Sequence, residues 1–205
     1  TDSCEGLDDV DPKEVLEQSL GNLYDGVSVS DMRTSLIMTA RTKVEKEPNY
    51  SFVTARILMD QIRNEALEFL GIAEEATYAD MENYYPEALV KYIDKGIELE
   101  ILDPELKNYD LKQLGQAIDH TRDNQFTYLG IQTLYDRYFI HSNKIRYELP
   151  QVFFMRVAMG LAIEEKEREK RTIEFYNLLS GFDYMSSTPT PVSYTHLRAH
   201  ETSRN

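Results

Sequence analysis

The sequence predicts a mainly α-helical protein that contains one short β-hairpin. Apolar residues recur at spacings of three and four along most of its 205 residues, which is the period of a helix with one buried face. Capping residues precede most of these stretches and glycines follow several of them, as at helix ends. Only the segment 138–147 has the short β-prone runs and polar centre of a hairpin.

Three helices are predicted before Gly71. Asp11-Pro12 has the residue types of an N-cap and first helical position, and Ser30 is predicted to cap the second helix. Pro48 breaks that helix, and a third is predicted from Tyr50 to Leu70. The residues predicted to be buried are Val15, Leu16, Leu20 and Leu23 in the first helix, Leu36, Ile37, Ala40 and Val44 in the second, and Val53, Ile57, Ile62 and Ala66 in the third.

The middle of the chain is predicted to be helical after a connection at residues 72–83. A helix is expected to follow Pro86, with Leu89, Val90, Ile93 and Ile97 on its buried face. Asp103 and Asp110 are predicted to start two further helices, and another is expected from Thr127 to Asp136.

The last elements are a hairpin and two helices. The hairpin spans Tyr138 to Tyr147 with its turn at Ser142-Asn143, and the helix from Pro150 to Ile163 is apolar on nearly all sides, which indicates deep burial. The charged run that follows is interpreted as a solvated helix face before a last helix that Gly181 ends. The ion pairs expected on that face join Glu164 with Arg168 and Glu167 with Arg171.

Composition excludes several classes of function. The net charge of −14 repels phosphate backbones, so nucleic-acid binding is not expected. No apolar run is long enough to cross a bilayer and the first residues do not form a secretory signal, so no membrane association is expected. Cys4 is the only cysteine, which excludes an internal disulfide and is typical of the reducing cytoplasm. We therefore predict a cytoplasmic protein.

Few residues carry a chemical signal of their own. The sequence has no phosphate-binding loop, dinucleotide fingerprint or zinc-protease motif. His120 and His141 lack ligand-like neighbours and are interpreted as structural or surface residues, so no metal site is predicted. Tyr135, Tyr138 and Tyr147 are interpreted as half-buried tyrosines with wet hydroxyls rather than as a radical relay. The hydroxyl-rich segment 186–190 is the one stretch suited to holding a phosphate.

The residues after position 190 look foreign to the fold. The stretch 192–202, VSYTHLRAHET, has no hydrophobic periodicity and resembles the translation of a sequencing adapter. We predict that 191–205 is a non-native tail, and His196 and His200 are set aside with it.

Three segments in order carry a resemblance to a known family. They begin with IDHTRD at Ile118, LPQVFFMRVAM at Leu149 and FDYMSSTPT at Phe182. Together they closely resemble the N-terminal helical domain of class I ribonucleotide reductase large subunits, and we assign residues 72–190 to that domain. Upstream, the stretch from Tyr24-Asp25-Gly26-Val27 through Pro48-Asn49-Tyr50 to Arg63 resembles the helical part of the family's ATP-cone, and we assign residues 1–71 to a partial cone. The family's basic β-hairpin is not matched, because no Lys or Arg precedes Lys13, so either the chain begins inside a cone or the cone is degenerate.

The resemblance implies a function for the whole enzyme. The family reduces ribonucleoside diphosphates to deoxyribonucleotides by a thiyl-radical mechanism, with ATP and dATP as allosteric effectors and a di-metal small subunit as partner. It implies that Ser187 and Thr188 bind the substrate diphosphate, that the intact subunit forms a homodimer, and that the catalytic barrel and its cysteines lie beyond Thr190. No catalytic, cofactor-binding or metal-binding residue is therefore expected in this chain, and we predict that it is inactive alone. A nucleotide-sensing regulatory module and a helical interaction module remain as alternatives.

Overall fold

The structure is a computed structural model that describes residues 2–184. Within residues 2–184 the chain forms two compact units, one made of residues 2–62 and 123–137 and the other of residues 63–122 and 138–184. The predicted domain boundary between residues 71 and 72 stays a prediction. The first boundary between the compact units lies between residues 62 and 63, within the helix Tyr50–Phe69. The helices are α1 (Pro12–Leu20), α2 (Val29–Thr42), α3 (Tyr50–Phe69), α4 (Met81–Glu98), α5 (Leu111–Gln116), α6 (Tyr128–Arg137), α7 (Pro150–Leu161) and α8 (Arg168–Ser180), with 3₁₀ turns at Asp2–Cys4, Pro104–Asn108 and His120–Gln125.

The first unit contains α1, α2, the first part of α3 and α6. Asp11 caps α1 as predicted, since its Oδ1 accepts a 2.8 Å hydrogen bond from the N–H of Lys13. The core of this unit is formed by Val15, Ala40, Tyr50 and Val53. The predicted apolar stripe of α1 is wrong at Leu16 and Leu20, which are 50% and 55% exposed, because the short buried face of this helix centres on Val15 and Ser19.

The cap of α2 lies two residues before the predicted one. Ser28, not Ser30, is the N-cap, and its Oγ accepts a hydrogen bond from the N–H of Asp31 while its hydroxyl donates to the Asp31 carboxylate. This reciprocal pair satisfies a free N–H of the first turn of the helix. Ser30 lies inside that turn and is therefore not in the N-cap position. Ile37 and Ala40 are buried as predicted, and α3 begins at the predicted Tyr50.

The second unit begins with a helix whose predicted start was wrong. Helix α4 starts at Met81, so Pro86 lies inside it rather than before it. Met81 and Tyr85 are fully buried on the face that also carries Leu89. Burying two large side chains offsets the cost of an interior proline, about 3 kcal/mol. The starts predicted at Asp103 and Asp110 are confirmed, since each side chain accepts a hydrogen bond from a backbone N–H of the turn it caps.

The hairpin is confirmed with its turn shifted by one residue. Strand β1 (His141–Ser142) pairs antiparallel with β2 (Ile145–Arg146), and the turn residues are Asn143 and Lys144. Both turn residues have positive φ, 50° and 70°, which is the backbone that a two-residue turn between twisted strands requires.

Helix α7 is the centre of the second unit. Every residue from Pro150 to Gly160 is buried, as its apolar composition predicted. Helix α8 packs against it and ends at Gly181, also as predicted. No helix within residues 2–184 combines the length and the apolar character needed to cross a bilayer.

The ion pairs predicted around the start of α8 are wrong. Helix α8 starts at Arg168, so Glu164 lies before the helix, and Glu167 is its N-cap, whose side chain pairs with Lys170 at 3.5 Å. Arg171 instead binds Glu174 at 2.7 Å, and Arg168 donates to the carbonyl of Asn108 and to Glu169.

Candidate functional site

The predicted substrate-binding residues, Ser187 and Thr188, lie outside the described residues. The described chain reaches Tyr184, immediately after α8. The part of the structure that bears most directly on the predicted site is therefore the C-terminal end of α8 and the residues that hold it.

Backbone hydrogen bonds cap the C-terminal end of α8, and Gly181 lies close to the carbonyl oxygen of Asn177 there. The N–H of Gly181 donates to the carbonyl of Asn177, and the N–H of Tyr184 donates to the carbonyl of Leu178. A Cβ on Gly181 would lie 2.9 Å from the Asn177 carbonyl oxygen, so a larger residue here would require the end of the helix to shift. Phe182 follows with φ of +60°, and its ring packs edge-on against Phe154 of α7.

Arg122 joins the 3₁₀ turn at His120–Gln125 to the last turn of α8. Its Nη1 donates to the hydroxyl of Ser180 and its Nη2 donates to the side-chain oxygen of Asn177 at 2.9 Å. Its Nε lies 3.4 Å from the Asp119 carboxylate. The guanidinium also lies 5.2 Å from the centre of the Tyr176 ring, close enough for a cation–π contact. Each nitrogen of this side chain therefore has a partner within the protein.

A buried tyrosine links the same region to α7. The Tyr176 hydroxyl donates to the side-chain oxygen of Gln151 at 2.9 Å and accepts from the N–H of Asp119 at 3.0 Å. Burial would raise the pKa of Asp119, but hydrogen bonds from Thr121 and the charge of Arg122 lower that pKa below its ordinary value. Asp119 is therefore held ionised, as the neighbour of an arginine should be.

A second polar network is buried beside α7. The Glu148 carboxylate accepts hydrogen bonds from the Tyr92 hydroxyl at 2.5 Å, the N–H of Ile140 at 2.9 Å and the Nε of Arg156 at 2.6 Å. Glu148 and Arg156 are 0% and 1% exposed. Burial followed by the charge of Glu148 raises the pKa of Tyr92, so the hydroxyl stays protonated and donates. This network fixes the hairpin to α7.

The other predicted residues take the following places. His120 is half-buried with its ring 5.3 Å from that of Tyr78, and His141 is exposed, so the structural and surface interpretations are confirmed. Tyr138 is half-buried as predicted. The prediction of a wet hydroxyl is wrong for Tyr147, which is fully buried between Phe69 and Tyr92.

Sequence reasoning did not find the two polar networks. Apart from Asp119, which is three residues from Arg122, the hydrogen-bond partners of Glu148 and Arg122 are 8 to 58 residues away, so no local spacing reveals them. One signal was present, because Arg156 is the single charged residue in the mostly apolar α7, and a buried arginine requires an acidic partner.

Comparison with known proteins first identifies the class of protein to which this chain belongs. Residues 124–194 match the family model described as "Ribonucleotide reductase, all-alpha domain". That range includes the hairpin, α7 and α8 together with Ser187 and Thr188. The helical fold and this match define the chain as a carrier of the all-α domain of a ribonucleotide reductase.

The relatives narrow the class further. The chain is 46% identical over 175 residues to the ribonucleoside-diphosphate reductase subunit alpha of Chlamydia muridarum, which covers 85% of this chain and 16% of that protein. It is 35% identical over 192 residues to the subunit alpha of Helicobacter pylori, covering 92% and 23%, and 32% identical over 189 residues to the large subunit of Danio rerio, covering 91% and 22%. The chain belongs to the family of ribonucleoside-diphosphate reductase large, or alpha, subunits, which confirms the predicted resemblance. It spans 16–23% of the length of these relatives.

Proposed function

We propose that this chain serves a ribonucleoside-diphosphate reductase that converts ribonucleoside diphosphates to deoxyribonucleotides by a thiyl-radical mechanism. The observation that carries the proposal is the 46% identity, over 85% of the chain, to a protein named as the alpha subunit of that enzyme. The two alternatives, a nucleotide-sensing regulator and an interaction module, have no comparable support. The chain's own part in the enzyme is a helical scaffold.

Within that enzyme, Ser187 and Thr188 contact the substrate diphosphate. Hydroxyl groups and backbone N–H groups beside a proline suit a phosphate, because both donate hydrogen bonds to its oxygens. Both residues lie inside the range that matches the all-α domain model. The hydrogen bond from Thr188 to an ionised phosphate is expected to contribute about 1.5–3 kcal/mol.

The partners and effectors follow from the same proposal. The enzyme pairs this subunit with a di-metal small subunit, acts as a homodimer of large subunits and responds to ATP and dATP as allosteric effectors. It works in the cytoplasm, where the substrate and a reducing environment are available.

The test uses the intact subunit that contains this sequence, assayed with its small subunit. Thr188→Ala is expected to raise the KM for a ribonucleoside diphosphate about tenfold or more, as the loss of a hydrogen bond to a charged group predicts. Thr34→Ala, on the exposed surface of α2, is the matched control and leaves KM unchanged. Residues 1–190 alone are expected to show no turnover. Turnover by that piece, or an unchanged KM in Thr188→Ala, contradicts the assignment.

A further inference from the structure

We propose that the buried network of Tyr92, Glu148 and Arg156 fixes the register of the β-hairpin, and that it selects this register over one in which the turn lies one residue earlier. We call these three residues the hairpin latch. The proposal concerns the fold of the second unit alone and does not rest on the proposed function.

The hairpin has a second register that its sequence also allows. In the structure the turn is Asn143-Lys144. If the turn were Ser142-Asn143, as the residue types predict, Ile140 would lie opposite Ile145 and two apolar side chains would meet across the strands. In the observed register Ile145 is instead 41% exposed. The apolar residues therefore do not select the observed register by themselves.

The backbone of the hairpin also selects the observed register only weakly. Each strand is two residues long, and a two-stranded hairpin is of marginal stability in water. The turn places Lys144 at φ of +70°, a conformation that glycine adopts readily and a residue with a long side chain does not. The preference for this register must therefore come from contacts outside the two strands.

The latch supplies that preference because Glu148 directly follows the hairpin and binds three separate elements. Its carboxylate accepts hydrogen bonds from Tyr92 of α4, from the N–H of Ile140 before β1 and from Arg156 of α7. If β1 stays in place, a turn one residue earlier slides β2 by two residues and carries Glu148 about 7 Å along the strand. Arg156, which is 1% exposed, would then be a buried charge without its counter-charge.

Register selection explains the presence of an ion pair at this place better than stability does. The loss of hydration of two fully buried charges offsets much of their attraction, so apolar groups of similar volume can often fill such a site without loss of stability. Apolar contacts are not directional, however, and would tolerate the sliding of β2. The latch therefore contributes selectivity between hairpin registers.

The test replaces the latch in the full chain by apolar residues, with Tyr92→Phe, Glu148→Met and Arg156→Met combined in a triple variant. The thermal midpoint of unfolding is expected to stay within about 5 °C of that of the unsubstituted chain, because the buried pair is removed as a whole. Glu148→Met alone is expected to lower the midpoint by roughly 10 °C, because the charge of Arg156 stays buried.

Nuclear magnetic resonance distinguishes the two registers. Cross-strand contacts between His141 and Arg146 report the observed register, and contacts between Ile140 and Ile145 report the other. The unsubstituted chain is expected to show the first set of contacts alone. The triple variant is expected to show both sets, with doubled amide signals for residues 140–146.

A rescue substitution and a control accompany this measurement. Lys144→Gly, added to the triple variant, makes the turn an Asn-Gly pair, which favours the observed turn and is expected to restore the first set of contacts alone. Arg171→Met combined with Glu174→Met removes an exposed ion pair on α8 instead, and this control is expected to leave the hairpin signals single.

Each other outcome overturns the proposal. A triple variant that shows only the first set of contacts means that the register does not depend on the latch. A triple variant that unfolds as readily as Glu148→Met, or that does not fold, means that the network acts through stability. If Lys144→Gly does not restore a single set, the doubled signals do not come from a change of register.

Discussion

Among single residues, Glu148 is expected to matter most for stability. It is fully buried and is the common acceptor for Tyr92, Ile140 and Arg156. Glu148→Gln leaves the Arg156 charge buried without its counter-charge and turns an amide NH₂ towards donors. We expect the free energy of unfolding, measured with urea, to fall by about 3–5 kcal/mol.

Glu174→Gln is the matched control for that substitution. Glu174 also pairs with an arginine, Arg171, but both side chains are about half exposed. Exposed pairs contribute little to stability, so this variant should unfold close to the unsubstituted chain. A loss of less than about 1 kcal/mol in Glu148→Gln would show that the buried pair relaxes or takes up water.

Tyr147→Phe is expected to stabilise the protein. The Tyr147 hydroxyl is buried and has no hydrogen-bond partner in the described part of the chain. An unsatisfied buried hydroxyl costs about 1 kcal/mol or more, and phenylalanine removes it without changing the ring contacts with Phe69 and Tyr92. Tyr176→Phe is the contrasting control, because its hydroxyl makes two hydrogen bonds and its removal should destabilise.

Tyr147 is also expected to make the stability of the protein depend on pH. Burial, and then the charge of Glu148, raises the pKa of Tyr147 above that of an unfolded tyrosine. Below about pH 10 the Tyr147 hydroxyl is protonated in both the folded and the unfolded protein. Above that pH only the unfolded protein loses this proton, so the free energy of unfolding falls as pH rises towards the pKa of Tyr147 in the folded protein. Urea unfolding at pH 8 and pH 11 should show a smaller loss in Tyr147→Phe than in the unsubstituted chain. An equal loss in the two proteins would contradict the assignment.

Among the helices, the contact of α5 with α4 depends on Gly115. A Cβ there would lie 2.9 Å from the Cα of Pro86 and 3.1 Å from its carbonyl oxygen. Alanine in a helix gains about 1 kcal/mol over glycine, but a backbone clash of this kind costs about 1–3 kcal/mol and cannot be relieved by turning a side chain. Gly115→Ala is therefore expected to lower the thermal midpoint of unfolding.

Gly130→Ala in α6 is the matched substitution without the clash. The nearest atoms to its Cβ would be 3.5 Å and 3.8 Å away, which is ordinary contact. The gain in helix propensity then stands alone, and the midpoint should rise. If the thermal midpoints of Gly115→Ala and Gly130→Ala shift in the same direction, the close contact between Gly115 and Pro86 does not have the predicted effect.

The helices also show what the sequence can predict. The start of α3 at Tyr50 and the burial of α7 were predicted because a long apolar period is a strong local signal. The start of α4 was wrong because the burial of Met81 and Tyr85 overrides the local effect of Pro86. The hairpin turn was off by one residue because Asn143 and Lys144 both adopt positive φ, which their residue types indicate only weakly.

For the molecule as a whole, the family was predictable and the polar networks were not. Three matched segments in order identify the large-subunit family, which the comparisons confirm. The contacts of Arg122 and Glu148 join residues that are distant in sequence, so they follow from the tertiary packing and not from any local pattern. The assignment of Ser187 and Thr188 rests on the resemblance and stays a prediction.

The net charge of −14 and its distribution bear on nucleotide binding by the first 71 residues. These residues resemble the helical part of an ATP-cone, but no Lys or Arg precedes Lys13. Two later cations already have partners, since Lys43 lies 2.6 Å from the Glu14 carboxylate and Arg56 donates at 2.7 Å to the carbonyl of Glu5. These two charges are therefore already engaged, and residues 1–12 offer a nucleotide triphosphate no Lys or Arg side chain.

We expect ATP and dATP to bind this chain more weakly than about 100 µM, which corresponds to about −5.5 kcal/mol. Calorimetric titration of residues 1–190 with each magnesium nucleotide measures this, and inorganic tripolyphosphate is the control for attraction by charge alone. Dissociation constants below about 1 µM for ATP or dATP would mean that the helices hold the phosphates without the basic hairpin. Backbone N–H groups at a helix start would then be the donors, because they bind anions without any side-chain charge.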